Sequence, residues 1–96
     1  MLLLPATVTL AEASDTLRML AQAVPGEPDA EVALDAAALE RFDTSVLAVM
    51  LECRRLAQSG GRSFAVRRVP PKLAALAALY GVDALLFEPA PRAPEA

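Results

Sequence analysis

The chain has no histidine, no tryptophan and one cysteine, Cys53, among its 96 residues. Histidine is the commonest metal ligand and the commonest general base. Its absence excludes a zinc site or a Ser-His-Asp triad within this chain, and no metal and no cofactor is expected. A single thiol cannot form an internal disulfide, which fits a reducing compartment. Cys53 also lies in an apolar helical stripe, where a free cysteine ordinarily packs as a small hydrophobe.

Two further shortages narrow the field. Basic residues number 9 against 12 acidic ones, for a net charge of −3. The pairs Arg54–Arg55 and Arg67–Arg68 are local, so counterion release from a nucleic acid has little to work with. Long apolar runs are also lacking. Met1 to Leu4 is far too short to span a bilayer, and no basic segment precedes it. The expectation is a cytoplasmic protein without direct membrane insertion, peripheral to the inner membrane only through a partner.

What is present is apolar and ordered. Hydrophobic residues make up 55 % of the chain, with Leu and Ala dominant. That composition suits one small globular domain with Ala-rich helices and does not suit disorder. Leu2 to Val8 reads as a strand that Pro5 must break or confine to an edge. Thr9 and Glu12 have capping-box spacing, and a helix follows to about Val24 with Ala13, Leu17, Leu20 and Ala21 on its buried side. Pro25-Gly26-Glu27-Pro28 stops it.

Glu31 to Asp35 is the next strand, with Val32 and Leu34 on one side, and Ala36 to Phe42 connects it onward. A helix runs from about Thr44 to Ser59, with Asp43 placed to cap it and Gly60-Gly61 ending it. Ser63 to Arg67 reads as a strand. A third helix opens at Pro70-Pro71, buries Leu73, Leu76, Ala77 and Tyr80, and closes at Gly81. Ala84 to Phe87 is expected as a last strand. Residues 1–88 form the domain, and 89–96, rich in Pro and Ala, read as a disordered tail. Strands alternating with helices imply a mostly parallel sheet of four to five strands with three or more helices packed on it.

The informative stretch joins a strand ending in Asp35 to Asp43-Thr44-Ser45 at a helix start. Asp, Thr and Ser are favoured capping residues, so one reading is that the triplet only begins the helix. Hydroxyls at a helix amino end can also meet a partner or carry a phosphate. At 100° per residue, Val46, Val49, Met50, Cys53, Leu56 and Ala57 share one arc and form the core stripe. Leu47 and Leu51 fall outside it, beside Thr44 and Arg55. Either they belong to a contact surface or a neighbouring element covers them. Asp35, Asp43 and Lys72 are the acid–base groups near this loop, and no nucleophile with an activating base can be assembled, so no enzyme is expected.

The run strand–Asp35–x3–Leu39–x2–Phe42-Asp43-Thr44-Ser45-x-Leu47 resembles the loop that marks STAS domains. The later segments Cys53 to Gly61, Phe64-Ala65-Val66 and Pro71-Lys72-Leu73 fit the same pattern. The closing Leu76 to Val82 is similar to the MlaB-like branch more than to the anti-sigma factor antagonists. The likeness covers roughly residues 4 to 87 and implies a STAS-like α/β fold. It also implies a non-catalytic interaction module that binds the ATPase subunit (MlaF-like) of a phospholipid-transporting ABC complex. The alternative it carries is an antagonist-type regulator whose partner is an anti-sigma factor kinase. By resemblance, Ser45 matches the position phosphorylated in antagonists and Thr44 the one that matters for docking in MlaB-like proteins. Val46 departs from the glycine usual after this pair. The partner-binding set expected is Asp43, Thr44, Ser45, Leu47, Leu51 and Arg55, with Ser45 and Thr44 as candidate phosphorylation positions. The resemblance also implies a shorter strand region ahead of the first helix than in other members, so a bare sheet edge is expected, and pairing of two copies into a homodimer stays open.

Overall fold

The structure, a computed structural model, describes residues 1–87; the expected tail at 89–96 lies outside them. Proline 5 does what its missing N–H requires. The first strand divides into β1 (Leu2–Leu3) and β2 (Thr7–Val8) on either side of it. Leu4 makes one further ladder bond, its N–H donating to the Asp35 carbonyl at 2.9 Å. The chain then leaves that sheet, and β2 pairs in parallel with β4 (Arg41–Phe42). This small ribbon lies within the segment expected to be a plain connection. It forms because the Ala6 carbonyl, past the proline, accepts the N–H groups of Glu40 and Arg41 at 2.7 and 2.9 Å.

The main sheet has the order β1-β3-β5, all parallel, with β3 (Glu31–Asp35) central and β1 and β5 (Ser63–Arg67) at its edges. The five strands thus divide between two sheets instead of joining one. Val32 faces Phe64 and Leu34 faces Val66 in register. These four side chains and Leu2 are buried on one face, as the period of two along each strand requires. Helix α2 (Ser45–Ser59) packs on β5 and on α1 (Leu10–Ala23). Its Val46, Val49, Met50, Cys53 and Ala57 are buried in the same core.

Local chemistry sets the ends of these elements. The Glu12 carboxylate reaches back to the Thr9 N–H at 2.8 Å and completes the capping box of α1. Thr9 thereby holds the Glu12 carboxyl below its ordinary value. Gly61 and Gly81, at φ +78° and +73°, make the left-handed turns after α2 and α3 (Pro71–Leu79), which a side chain would oppose. Arg68 takes φ +54° without that freedom, and its guanidinium lies 3.5 Å from the buried Asp35 carboxylate.

The carboxy-terminal region differs from the sequence expectation. Asp83–Leu86 is a short helix, α4, and not a strand. Ala and Leu are strong helix formers, and the Leu86 side chain is fully buried where α4 meets α2, α3 and β5. Tyr80, expected in the core, is 58 % exposed. Helix α3 ends at Leu79, so Tyr80 sits at a cap and no longer follows the helical phase of Leu73 and Ala77. Thr16, a polar residue on α1 that the apolar stripe did not include, is buried.

Cys53 is sealed in this core, and its thiol is pushed up to about 11 by burial, with the Glu52 charge adding to the effect. The folded protein is expected to resist iodoacetamide at pH 8 and to be alkylated promptly in denaturant. Because folding raises this pKa from 9.0, the folded state binds more protons between the two values. Its stability should therefore fall as pH climbs from about 9 through about 11, and replacing Cys53 by Ala should flatten that slope. Thermal melts across this range check the prediction.

Candidate functional site

The loop between β4 and α2 is built around one carboxylate. Asp43 Oδ1 accepts the Ser45 N–H at 2.9 Å, and its Oδ2 accepts the Leu10 N–H at 3.1 Å. The first bond satisfies an orphan amide at the start of α2, and the second does so at the start of α1. The expected cap is present, and it serves two helices. Ser45 and then Leu10 hold the Asp43 carboxyl below its ordinary value. The β2–β4 ribbon makes this possible, since it brings Val8 and Asp43 together, with the Asp43 N–H 3.4 Å from the Val8 carbonyl. Asp43 is therefore placed to position the loop.

The two hydroxyls that follow diverge. Thr44 is exposed, takes helical backbone angles and makes no side-chain capping bond. It lines an open groove of about 580 Å³ with Arg41, Phe42, Lys72 and Leu76. Ser45 is half-buried and lines a smaller cleft of about 200 Å³ between α2 and α1, with Leu10, Ser14 and Leu17. Neighbours in sequence thus look into different spaces. Val46, next in line, is fully buried and fixes this divergence by anchoring the first turn of α2.

Farther along α2, one of the two off-stripe leucines is a core residue. Leu47 is only 5 % exposed, which corrects its expected place on a contact surface. Helix α1 lies along one flank of α2, where Ser45, Val49 and the exposed Ala48 line the cleft between the two helices. Helix α4 packs on α2 as well, so the buried arc is wider than one apolar stripe. Leu51 remains half-buried and Arg55 exposed. The outward face of α2 reads Thr44, Ala48, Leu51, Arg55, at spacings of four, three and four. Ala48 is the member that sequence reasoning missed, although it follows Thr44 by one turn. Arg55 is held by Glu52 one turn back, with its Nε 3.0 Å from Oε1. The pair lowers the pKa of Glu52 and raises that of Arg55.

Among the described residues, no three His, Cys, Asp or Glu side chains cluster as metal ligands, and no helix is long and apolar enough to cross a membrane. The geometry offers a surface.

A family model described as the MlaB STAS domain matches residues 2–87, the whole of the fold described above. The chain belongs to the MlaB-like branch of the STAS family. No curated protein matches it by sequence. STAS domains serve generally as protein-interaction or regulatory modules and are generally non-catalytic. The four helices and small parallel sheets among the described residues are consistent with a STAS-like fold.

Two measurements separate core from surface here. Leu47→Ala should lower unfolding stability by about 2–5 kcal/mol, the range for emptying a buried leucine site, and Leu51→Ala by clearly less, as read by urea denaturation. Asp43→Asn replaces one acceptor oxygen by an amide and should destabilise the domain at neutral pH. Because folding depresses the Asp43 pKa, its contribution is present above the ordinary carboxylate range and is lost as pH falls through the depressed value. The gap between wild type and Asp43→Asn should therefore close in acid, which melts from pH 7 down to pH 2 would reveal.

Proposed function

We propose that this STAS domain is a non-catalytic docking subunit that binds the ATPase of a phospholipid-transporting ABC complex. The observation that carries this reading is the outward face of α2. A helix otherwise buried on several sides leaves Thr44, Ala48 and Arg55 exposed along one side, with Leu51 half-buried among them and resting in part on the core. A hydroxyl, a small residue, a half-buried leucine and a cation in one line suit a partner helix or sheet edge, with Leu51 as the anchor and the polar ends as rim. Binding only the assembled partner, such a subunit stabilises it by mass action. The location that follows is cytoplasmic, at the inner membrane through the partner.

A second reading, a regulator switched by phosphorylation, finds support at Thr44 rather than at Ser45. The Thr44 hydroxyl is exposed beside Arg41 and Lys72. A phosphoryl group on Ser45 would instead stand against the Asp43 carboxylate, whose repulsion would loosen the Leu10 contact. In this reading the partner is an anti-sigma factor kinase, and intact-mass measurement of protein purified from its own cells would show phosphate on Thr44.

Docking is tested with the purified ATPase subunit of a phospholipid-transporting ABC complex from the same organism. Thr44→Glu and Leu51→Asp, each checked by circular dichroism for an intact fold, should weaken binding about tenfold or more, the scale of a hot-spot loss. Equal binding by wild type and both variants would reject the α2 face.

A further inference from the structure

The groove beside Thr44 holds charge that the fold does not use. Arg18, Arg55, Arg67 and Arg68 each face a carboxylate, and Arg62 donates to the Val24 and Pro25 carbonyls. Among the described residues, Arg41, Arg54 and Lys72 have neither kind of partner; Arg54 is half-buried on α2, and Arg41 and Lys72 are exposed. They come from different elements, β4 and α3, and line one groove with Thr44 between them in the chain. Phe42 and Leu76, both half-buried, supply its apolar lining. Of its two acids, Asp43 is committed to the Leu10 and Ser45 amides, which leaves Glu40 against two free cations.

The start of α2 does not share this role. The first amides of α2 are already satisfied: Ser45 by Asp43 Oδ1, Val46 by the Asp43 carbonyl and Leu47 by the Thr44 carbonyl. Proline 71 begins α3 and has no N–H to offer. Recognition in the groove therefore rests on two separated side-chain cations above an apolar lining. That combination suits a peptide with a carboxylate next to an apolar side chain better than it suits a compact inorganic anion, which gains nothing from Phe42 and Leu76.

We infer that this groove receives an acidic, partly apolar peptide segment of the docked partner, with a carboxylate held by Arg41 and Lys72 and an apolar side chain seated on Phe42 and Leu76. The inference rests on the docking reading above and extends it, because Thr44 belongs both to the groove and to the outward face of α2. The contact then has two parts, the α2 stripe and the groove, joined at one hydroxyl.

The test uses the full chain and the same ATPase subunit. The double variant Arg41→Gln, Lys72→Gln removes both charges from exposed positions, and circular dichroism confirms its fold. Its binding should be weaker than wild type by about tenfold at low salt, and the difference should shrink as salt is raised, since charge pairing at a rim is screened. Leu76→Ser should weaken binding at all salt concentrations. Equal binding by wild type and the double variant would overturn the groove and leave docking through α2 standing. Failure of wild type to bind the ATPase would overturn both. Inorganic phosphate that shifts the NMR signals of Lys72 and Arg41 while the double variant still binds the ATPase normally would make the groove a site for free anions, and would overturn the peptide.

Discussion

The Asp43 carboxylate is the contact on which the working end of this domain depends. Its two oxygens accept amides from the first turns of two helices, Leu10 of α1 and Ser45 of α2. Each bond answers a need that every helix start has, and together they fix where α1 stands relative to α2. The direction in which Thr44 and Ser45 project follows from that. A carboxylate also suits the positive ends of both helix dipoles, so the geometry and the electrostatics favour the same placement.

The chain reaches this arrangement by breaking a strand. Pro5 cannot extend the ladder between β1 and β3, and after it the backbone is free to pair elsewhere. It pairs with Arg41 and Phe42, next to the aspartate. A residue near the amino terminus therefore governs the position of a loop more than thirty residues away. The groove beside Thr44 has the same origin, since β4 contributes Arg41 and Phe42 to it.

Much of this was legible in the sequence wherever the cause is local. The Thr9–Glu12 capping box, the strands Glu31–Asp35 and Ser63–Arg67, the proline start of α3 and the glycine turns at Gly61 and Gly81 are each set by a few neighbouring residues. The elements that differed depend on contacts between distant ones. Arg41–Phe42 has no strand-like pattern of its own and exists because Ala6 offers a carbonyl. Asp83–Leu86 is too short for any period to show, and its burial against α2 decides its form. Leu47 was misplaced for the same reason: a helical wheel marks one apolar face, but α2 is covered from the sheet side and on both flanks. Of the site, Asp43 and Thr44 could be read from capping chemistry, while the separation of Thr44 from Ser45 and the joining of Arg41 with Lys72 required the folded chain.

Along α2, inward and outward residues interleave so closely that Thr44 and Ala48 alternate with Val46, Leu47 and Val49. One class is constrained by packing and the other is not. A change at Thr44, Ala48 or Arg55 alters what the domain presents while the interior keeps its shape. A lineage carrying this scaffold can thus exchange one binding preference for another by single substitutions, without first acquiring stability to spare.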